Sequence, residues 1–265
     1  MKAWLIATLL FCSSAFATPW NAEQQLQTFK SNYIVSSSGK PETCSGASAC
    51  WLMDEASGSI VDFIGGVTLA QYNAANTYGV TGFTNFDPGI TMNPTAGGFY
   101  KALGAANPSL SFGTGSGNIF LALRVNGTGY GDVFLTCVPE TGNVGWAIRY
   151  QYTADAANSR VLLQLIATDS TTVTANWYGA EAGNAVFNGG FHTWEFRINR
   201  TTGVVTLLVD GISQGDVSIA TLAGKSIDTT AASGIGLGND FRPGINRNVP
   251  LTVSFVRVYK GATYP

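Results

Sequence analysis

The sequence predicts an all-β protein, a two-sheet antiparallel β-sandwich, and three observations carry that reading. Residues Phe191 to Gly211, FHTWEFRINRTTGVVTLLVDG, alternate apolar and polar side chains on both sides of a short turn. That is the pattern of a β-hairpin with one buried face. Strand-like runs recur along the chain at a spacing of roughly 8–12 residues, as in a sandwich. Glycine is abundant, 32 of 265 residues, and only 11% of residues are charged. Such a chain has the glycines for tight turns and is too apolar and aromatic to be disordered.

The hairpin is the clearest element. His192, Trp194, Phe196 and Ile198 fall on one face, and Thr193, Glu195, Arg197 and Asn199 on the other. Arg200-Thr201-Thr202-Gly203 forms the turn, and Val205, Leu207 and Val209 return the apolar face before Asp210-Gly211. Further strands are expected at 118–126, 131–138, 145–152, 160–168, 172–178, 216–219, 233–238 and 251–259. The region 65–115 is weaker in pattern, with strands near 67–72 and 109–112. Glycines would serve turns and bulges where the sheets curve.

Ahead of the strands, Lys2, the apolar run Ala3 to Phe11 and the small-residue site Ala15-Phe16-Ala17 read as a signal peptide over residues 1–17. This predicts a secreted, periplasmic or extracellular protein. Residues 18–34 form a helical segment and 35–49 a Ser/Gly/Pro loop, so that 18–50 precede a domain at 51–265. Cys44 and Cys50 bracket a short Ser/Gly/Ala loop and are expected to form a disulfide after export. A Cys50–Cys137 bond is the alternative that sequence leaves open. Cys137 otherwise reads as a buried thiol packed as a small hydrophobe. One histidine and no Cys-x-x-Cys pair argue against a thiolate metal centre. Lys and Arg are not clustered, so no nucleic-acid surface is predicted. No later apolar run is long enough to span a membrane.

Three segments resemble the concanavalin A-like lectin/glucanase superfamily, specifically laminin G-like domains. They are Trp51 to Gly58 followed by Ile60-Val61-Asp62, the hairpin 191–211, and Val253 to Tyr259. The resemblance covers roughly residues 51–262 and implies a jelly-roll sandwich. It does not select an activity, because one fold hosts many functions. It also implies a calcium ion, with Asp54, Asp62, Asn239 and Asp240 as candidate ligands from turns near the first and last strands; hard oxygen donors suit that ion.

Catalytic patterns are sparse. Glycoside hydrolysis needs two carboxylates flanking one bond, and the E-x-D-x-x-E strand of the superfamily's hydrolytic branch is missing. Glu195 has Arg197 two residues on, which reads as an ion pair. No G-x-S-x-G elbow accompanies His192, which reads as a packed histidine at a sheet edge. Jelly-roll polysaccharide lyases combine His, Tyr, Arg and Gln, but their strand signatures are not recognisable here. Glycan binding is the leading expectation. Arg149 and Gln151 share one strand face, and Asn176 and Tyr178 share the polar face of 172–178. If both faces line one surface, these four would hold a sugar; the competing reading is ordinary solvated strand positions. The loops at 72–79 and 179–190 are equal candidates. The predicted function is a secreted non-catalytic module that binds a glycan or a surface partner. The alternatives are a structural or adhesive component of an envelope, fibre or matrix, and a polysaccharide lyase or glycoside hydrolase.

Overall fold

A computed structural model describes residues 44–72, 76–83, 88–92, 99–102, 108–125, 135–139, 144–151, 159–178, 190–229, 233–238 and 251–261. All of them belong to one compact unit, Cys44–Pro265. The expected signal peptide, the expected helical segment 18–34, and the candidate ligands Asn239 and Asp240 lie outside the described residues.

Among the described residues, fifteen strands make two antiparallel sheets. In chain order they are β1 (Ala49–Trp51), β2 (Ala70–Tyr72), β3 (Thr77–Thr81), β4 (Pro88–Met92), β5 (Phe99–Ala102), β6 (Gly117–Val125), β7 (Leu135–Pro139) and β8 (Gly145–Gln151). There follow β9 (Arg160–Ile166), β10 (Thr172–Tyr178), β11 (His192–Asn199), β12 (Val204–Val209), β13 (Ile212–Ser218), β14 (Ser233–Leu237) and β15 (Leu251–Lys260). One sheet runs β13-β12-β11-β6-β15-β4-β3, with β1 also paired to β15; the other runs β10-β9-β8-β7-β14-β5-β2. Consecutive strands are often not neighbours: β6 pairs β11 and β15, and β14 sits between β7 and β5. Long connections of this kind are those of a sandwich, not a meander.

The expected sandwich is therefore what the chain forms, and its core follows from alternation. Trp194, Phe196 and Ile198 of β11, Val205 and Leu207 of β12, and Trp146, Ile148 and Tyr150 of β8 are fully buried. Facing sheets interleave such side chains into one core, and burying each large apolar side chain contributes about 1.5–3 kcal/mol. Trp177 of the second sheet meets Phe196 of the first edge-on, with centroids 5.7 Å apart, and Trp194 lies 6.3 Å from Phe196.

Both lateral edges are also tied. At one, the Trp177 indole donates to the Gly215 carbonyl of β13 at 3.0 Å. At the other, Tyr78 of β3 donates to Gln71 of β2 at 2.9 Å and packs edge-on against Tyr100 of β5.

Several local features depart from the sequence expectation. Residues Pro108–Leu110 form a 3-10 turn where a strand near 109–112 was expected. Proline's fixed φ and missing N–H suit the first position of such a turn. The Leu110 carbonyl then accepts the Trp146 indole N–H at 3.0 Å. Strands β3, β4 and β5 occupy a region the pattern barely marked, and β1 begins at Ala49 within the expected loop. Strand β13 starts at Ile212, not near 216, because Asp210 and Gly211 both take positive φ, 52° and 78°, and close a two-residue turn from β12. Asp-Gly is a favoured pair for such a turn. In β15 the register shifts between Val253 and Phe255. That bulge keeps Val256 and Val258 inward after Leu251 and Val253, and turns Arg257 outward. The Ser254 hydroxyl beside it accepts the Phe83 N–H at 3.1 Å.

Cys44 and Cys50 are disulfide-bonded, with Cα atoms 5.7 Å apart. Cys137 is an unbonded, buried thiol, and burial pushes its pKa up to about 12. Gly145, at φ +138°, lies against β7: a Cβ there would stand 2.0 Å from the Cys137 carbonyl oxygen. We expect Gly145→Ala to destabilise the fold by at least about 2 kcal/mol through backbone strain and forced separation of β7 from β8. A urea denaturation curve checks this, and an unchanged midpoint would refute the packing described.

Candidate functional site

The registers of β8, β9 and β10 place the four predicted binding residues on one outer face. Gln151 pairs with Arg160, and Arg160 with Tyr178. One rung along, Arg149 pairs with Leu162, and Leu162 with Asn176. The inward positions between them, Tyr150, Val161, Leu163, Ala175 and Trp177, are buried. The core thus fixes which side these polar side chains occupy, since a strand's side chains alternate.

Arg160 organises this face, although the sequence reading passed it over. Its Nε donates to Gln151 Oε1 at 2.8 Å, and its Nη1 donates to the Tyr178 hydroxyl at 2.7 Å. The guanidinium carbon lies 5.4 Å from the centroid of the Tyr178 ring, within the range of a cation–π contact. Tyr178 is 57% exposed, among the most exposed large side chains described. Asn176 Nδ2 donates to the Thr174 carbonyl at 3.0 Å, and its Oδ1 is buried with no hydrogen-bond partner among the described residues. The result is an accessible aromatic ring bordered by fixed planar donors and acceptors. The opposite edge of the same face repeats the pairing of a cation with a ring: Lys101 Nζ lies 4.0 Å from the Tyr72 centroid, and Tyr72 is 42% exposed. Between the two edges the face is closed, since Thr136, Val138 and Ala147 are buried.

The other sequence candidates have structural duties. Glu195 Oε1 accepts from Asn118 Nδ2 at 2.6 Å and from Arg197 Nε at 2.7 Å, and Oε2 accepts from Arg197 Nη2 at 3.0 Å. The expected ion pair is present, and both oxygens are engaged.

His192 Nδ1 stands 2.6 Å from Asp210 Oδ2. Asp210 Oδ1 accepts from the Thr193 backbone N–H at 2.8 Å and from its hydroxyl at 3.2 Å. A His–Asp pair is two thirds of a triad. Here the carboxylate also closes the β11–β12 ladder end, where the Asp210 N–H donates to the Thr193 carbonyl at 2.9 Å.

Asp62 is buried. Its Oδ1 accepts the Cys50 and Ile64 N–H groups at 2.8 and 2.9 Å, and its Oδ2 accepts the Val67 N–H at 3.3 Å. Asp54 is exposed. Among the described residues no three acidic, His or Cys side chains stand close enough to share a metal ion. Both Asp62 oxygens therefore already serve backbone donors.

A second polar cluster lies inside the β2–β3–β5 edge. Glu55 Oε1 accepts the Val61 N–H at 2.6 Å, and burial raises the Glu55 pKa. Burial, followed by the neighbouring Tyr78 hydroxyl, holds the Tyr100 phenol well above its ordinary pKa. Tyr78 also donates to the Gly58 carbonyl at 2.6 Å. These groups join the 55–61 segment to the sheet edges, and the neighbouring Asp54 carboxylate adds to the rise in the Glu55 pKa after burial.

No protein-family model matches the chain, and no curated protein does. Solved structures match in fold. The binding domain of Paraclostridial Mosquitocidal Protein 1 aligns over 83% of this chain and 50% of its own, with a TM-score of 0.59 and 16% identity. The ligand-binding domain of botulinum neurotoxin serotype D, in complex with N-acetylneuraminic acid, aligns over 83% and 48%, with a TM-score of 0.56 and 10% identity. Domain 4 of AbnA, an extracellular GH43 arabinanase from Geobacillus stearothermophilus, in complex with arabinotriose, aligns over 83% and 94%, with a TM-score of 0.54 and 10% identity. The chain spans about half the length of the toxin binding domains it matches. At these identities the likeness establishes the β-sandwich.

Because Asp210 serves His192, Thr193 and the turn together, Asp210→Ala is expected to cost about 2 kcal/mol. Asp210→Asn, which keeps an acceptor oxygen and tolerates positive φ, is expected to cost less than half as much. Chemical denaturation of the two variants checks the order.

Proposed function

We propose that this chain is an exported, non-catalytic carbohydrate-binding module of the concanavalin A-like, laminin G-like type, and that it binds its glycan on the outer face of β8, β9 and β10. The exposed Tyr178 ring, held beside Arg160, Gln151 and Asn176, carries the proposal. Sugars present C–H faces that stack on an aromatic ring and hydroxyl edges that need planar hydrogen-bonding partners. This face supplies both, on strands. A few placed polar groups beside an aromatic surface are what specific small-ligand sites use.

Two kinds of observation support the reading. Sandwiches of the same fold include one solved with arabinotriose and one solved with N-acetylneuraminic acid. Within the chain, the carboxylate best placed for glycoside hydrolysis, Glu195, is held by Asn118 and Arg197, with no acid partner among the described residues. Export is supported by the Cys44–Cys50 disulfide, a bond that persists in oxidising compartments, together with the leader-like residues 1–17.

A glycan array probed with the protein lacking residues 1–17 tests the proposal. Binding to a discrete set of glycans is expected, and Tyr178→Ala should weaken it roughly tenfold or more through loss of the stacking surface. The melting temperature should stay near that of the parent, because the ring is exposed. An array with no glycan bound, or a Tyr178→Ala protein that binds undiminished, would overturn it.

A further inference from the structure

The charge on the binding face is one-signed. On the outer face of the β10-β9-β8-β7-β14-β5-β2 sheet, Arg149, Arg160 and Lys101 are the charged side chains among the described residues, and none is acidic. The chain as a whole carries a formal net charge of −2. A basic face on a mildly acidic protein is thus a local arrangement and does not follow from composition.

Arg160 is the informative member. Several other described cations are matched by acids or carbonyls. Arg197 is paired with Glu195, Lys225 with Asp169 at 2.7 Å, and Arg200 donates to the carbonyls of Leu222 and Lys225. Arg160 is instead held by two neutral groups, the Gln151 amide oxygen and the Tyr178 hydroxyl. These fix its plane without neutralising it. A guanidinium has five N–H donors, of which two are used here. The remaining donors, on an immobilised and uncompensated cation beside an exposed ring, match a planar or tetrahedral oxyanion.

We propose that the glycan taken by this face is anionic, its carboxylate or sulfate held by Arg160 while its ring stacks on Tyr178. This rests on the glycan-binding reading above and narrows it to one ligand class.

Matched pairs separate the two ideas. The probes are oligogalacturonate against its methyl ester, and dextran sulfate oligomers against dextran, together with the acidic and neutral members of the same glycan array. The acidic member of at least one pair is expected to bind roughly tenfold or more tightly, as a charge-assisted hydrogen bond warrants. That preference should shrink as salt is raised. Which pair responds tells carboxylate from sulfate recognition. Arg160→Gln should erase the acidic preference while leaving residual binding through Tyr178, and Arg160→Lys should restore part of it.

Equal or tighter binding of the neutral partners throughout would overturn the inference and leave the glycan-binding proposal standing. So would an acidic preference that survives in Arg160→Gln. Binding of single-stranded DNA or polyglutamate as tight as that of the acidic glycans would reduce the face to a general polyanion surface and also overturn it. Absence of binding to every glycan would remove both proposals. Far-ultraviolet circular dichroism of the Arg160→Gln protein guards against misfolding as the cause of any loss.

Discussion

The contact of Trp177 with Phe196 joins the two sheets, and much of the molecule can be understood from it. It requires the inward positions of β10 and β11 to be apolar. Because side chains alternate, the same demand turns Asn176 and Tyr178 outward on one sheet and Glu195 and Arg197 outward on the other. Removing such a ring costs about 3–5 kcal/mol in a packed core, so the register that presents the outer faces is strongly held. The outer face of β8, β9 and β10 is in this sense a by-product of core packing, which is why its side chains are strand-borne.

The two outer faces differ in how they treat charge. On the β11 side, Glu195 and Arg197 pair and neutralise each other's charge. On the β9 side, Arg160 is oriented by neutral partners and keeps its charge. Surface ion pairs between fully solvated side chains contribute little to stability. The contrast is therefore one of chemistry offered to solvent more than of folding energy.

The architecture was legible wherever one face of a strand is buried and the other is not. The hairpin at β11–β12 and the strand β10 match their expected spans almost residue for residue, because Trp194, Phe196, Ile198, Ala175 and Trp177 alternate with polar neighbours. Strand β2 falls within the span expected near 67–72, whereas β3 to β5 were largely illegible. They are short, β3 and β4 carry Gly, Thr and Pro, and all three lie at or near the sheet edges, so no long alternation marks them. The turn at 108–110 was misread because Leu110 and Phe112 look like alternating strand positions, while Pro108 sets a helical turn. The shared outer face of Arg149, Gln151, Asn176 and Tyr178 was legible from parity within their own strands. Arg160 was missed because Leu162, on the same outer face, blurs the alternation of RVLLQLI. Its role comes from register across three strands, which no single strand's sequence contains.

The claim that most needs a direct test is the location of the glycan on the β8–β9–β10 outer face. Amide and guanidinium NMR shifts, followed while titrating a glycan that the protein binds, read that location residue by residue. The expected result is a contiguous set of perturbations over residues 149–151, 160–164 and 174–178, including the Arg160 Nε–H. Perturbations confined to residues 193–199 and 255–259, with the Arg160 signal unmoved, would contradict it.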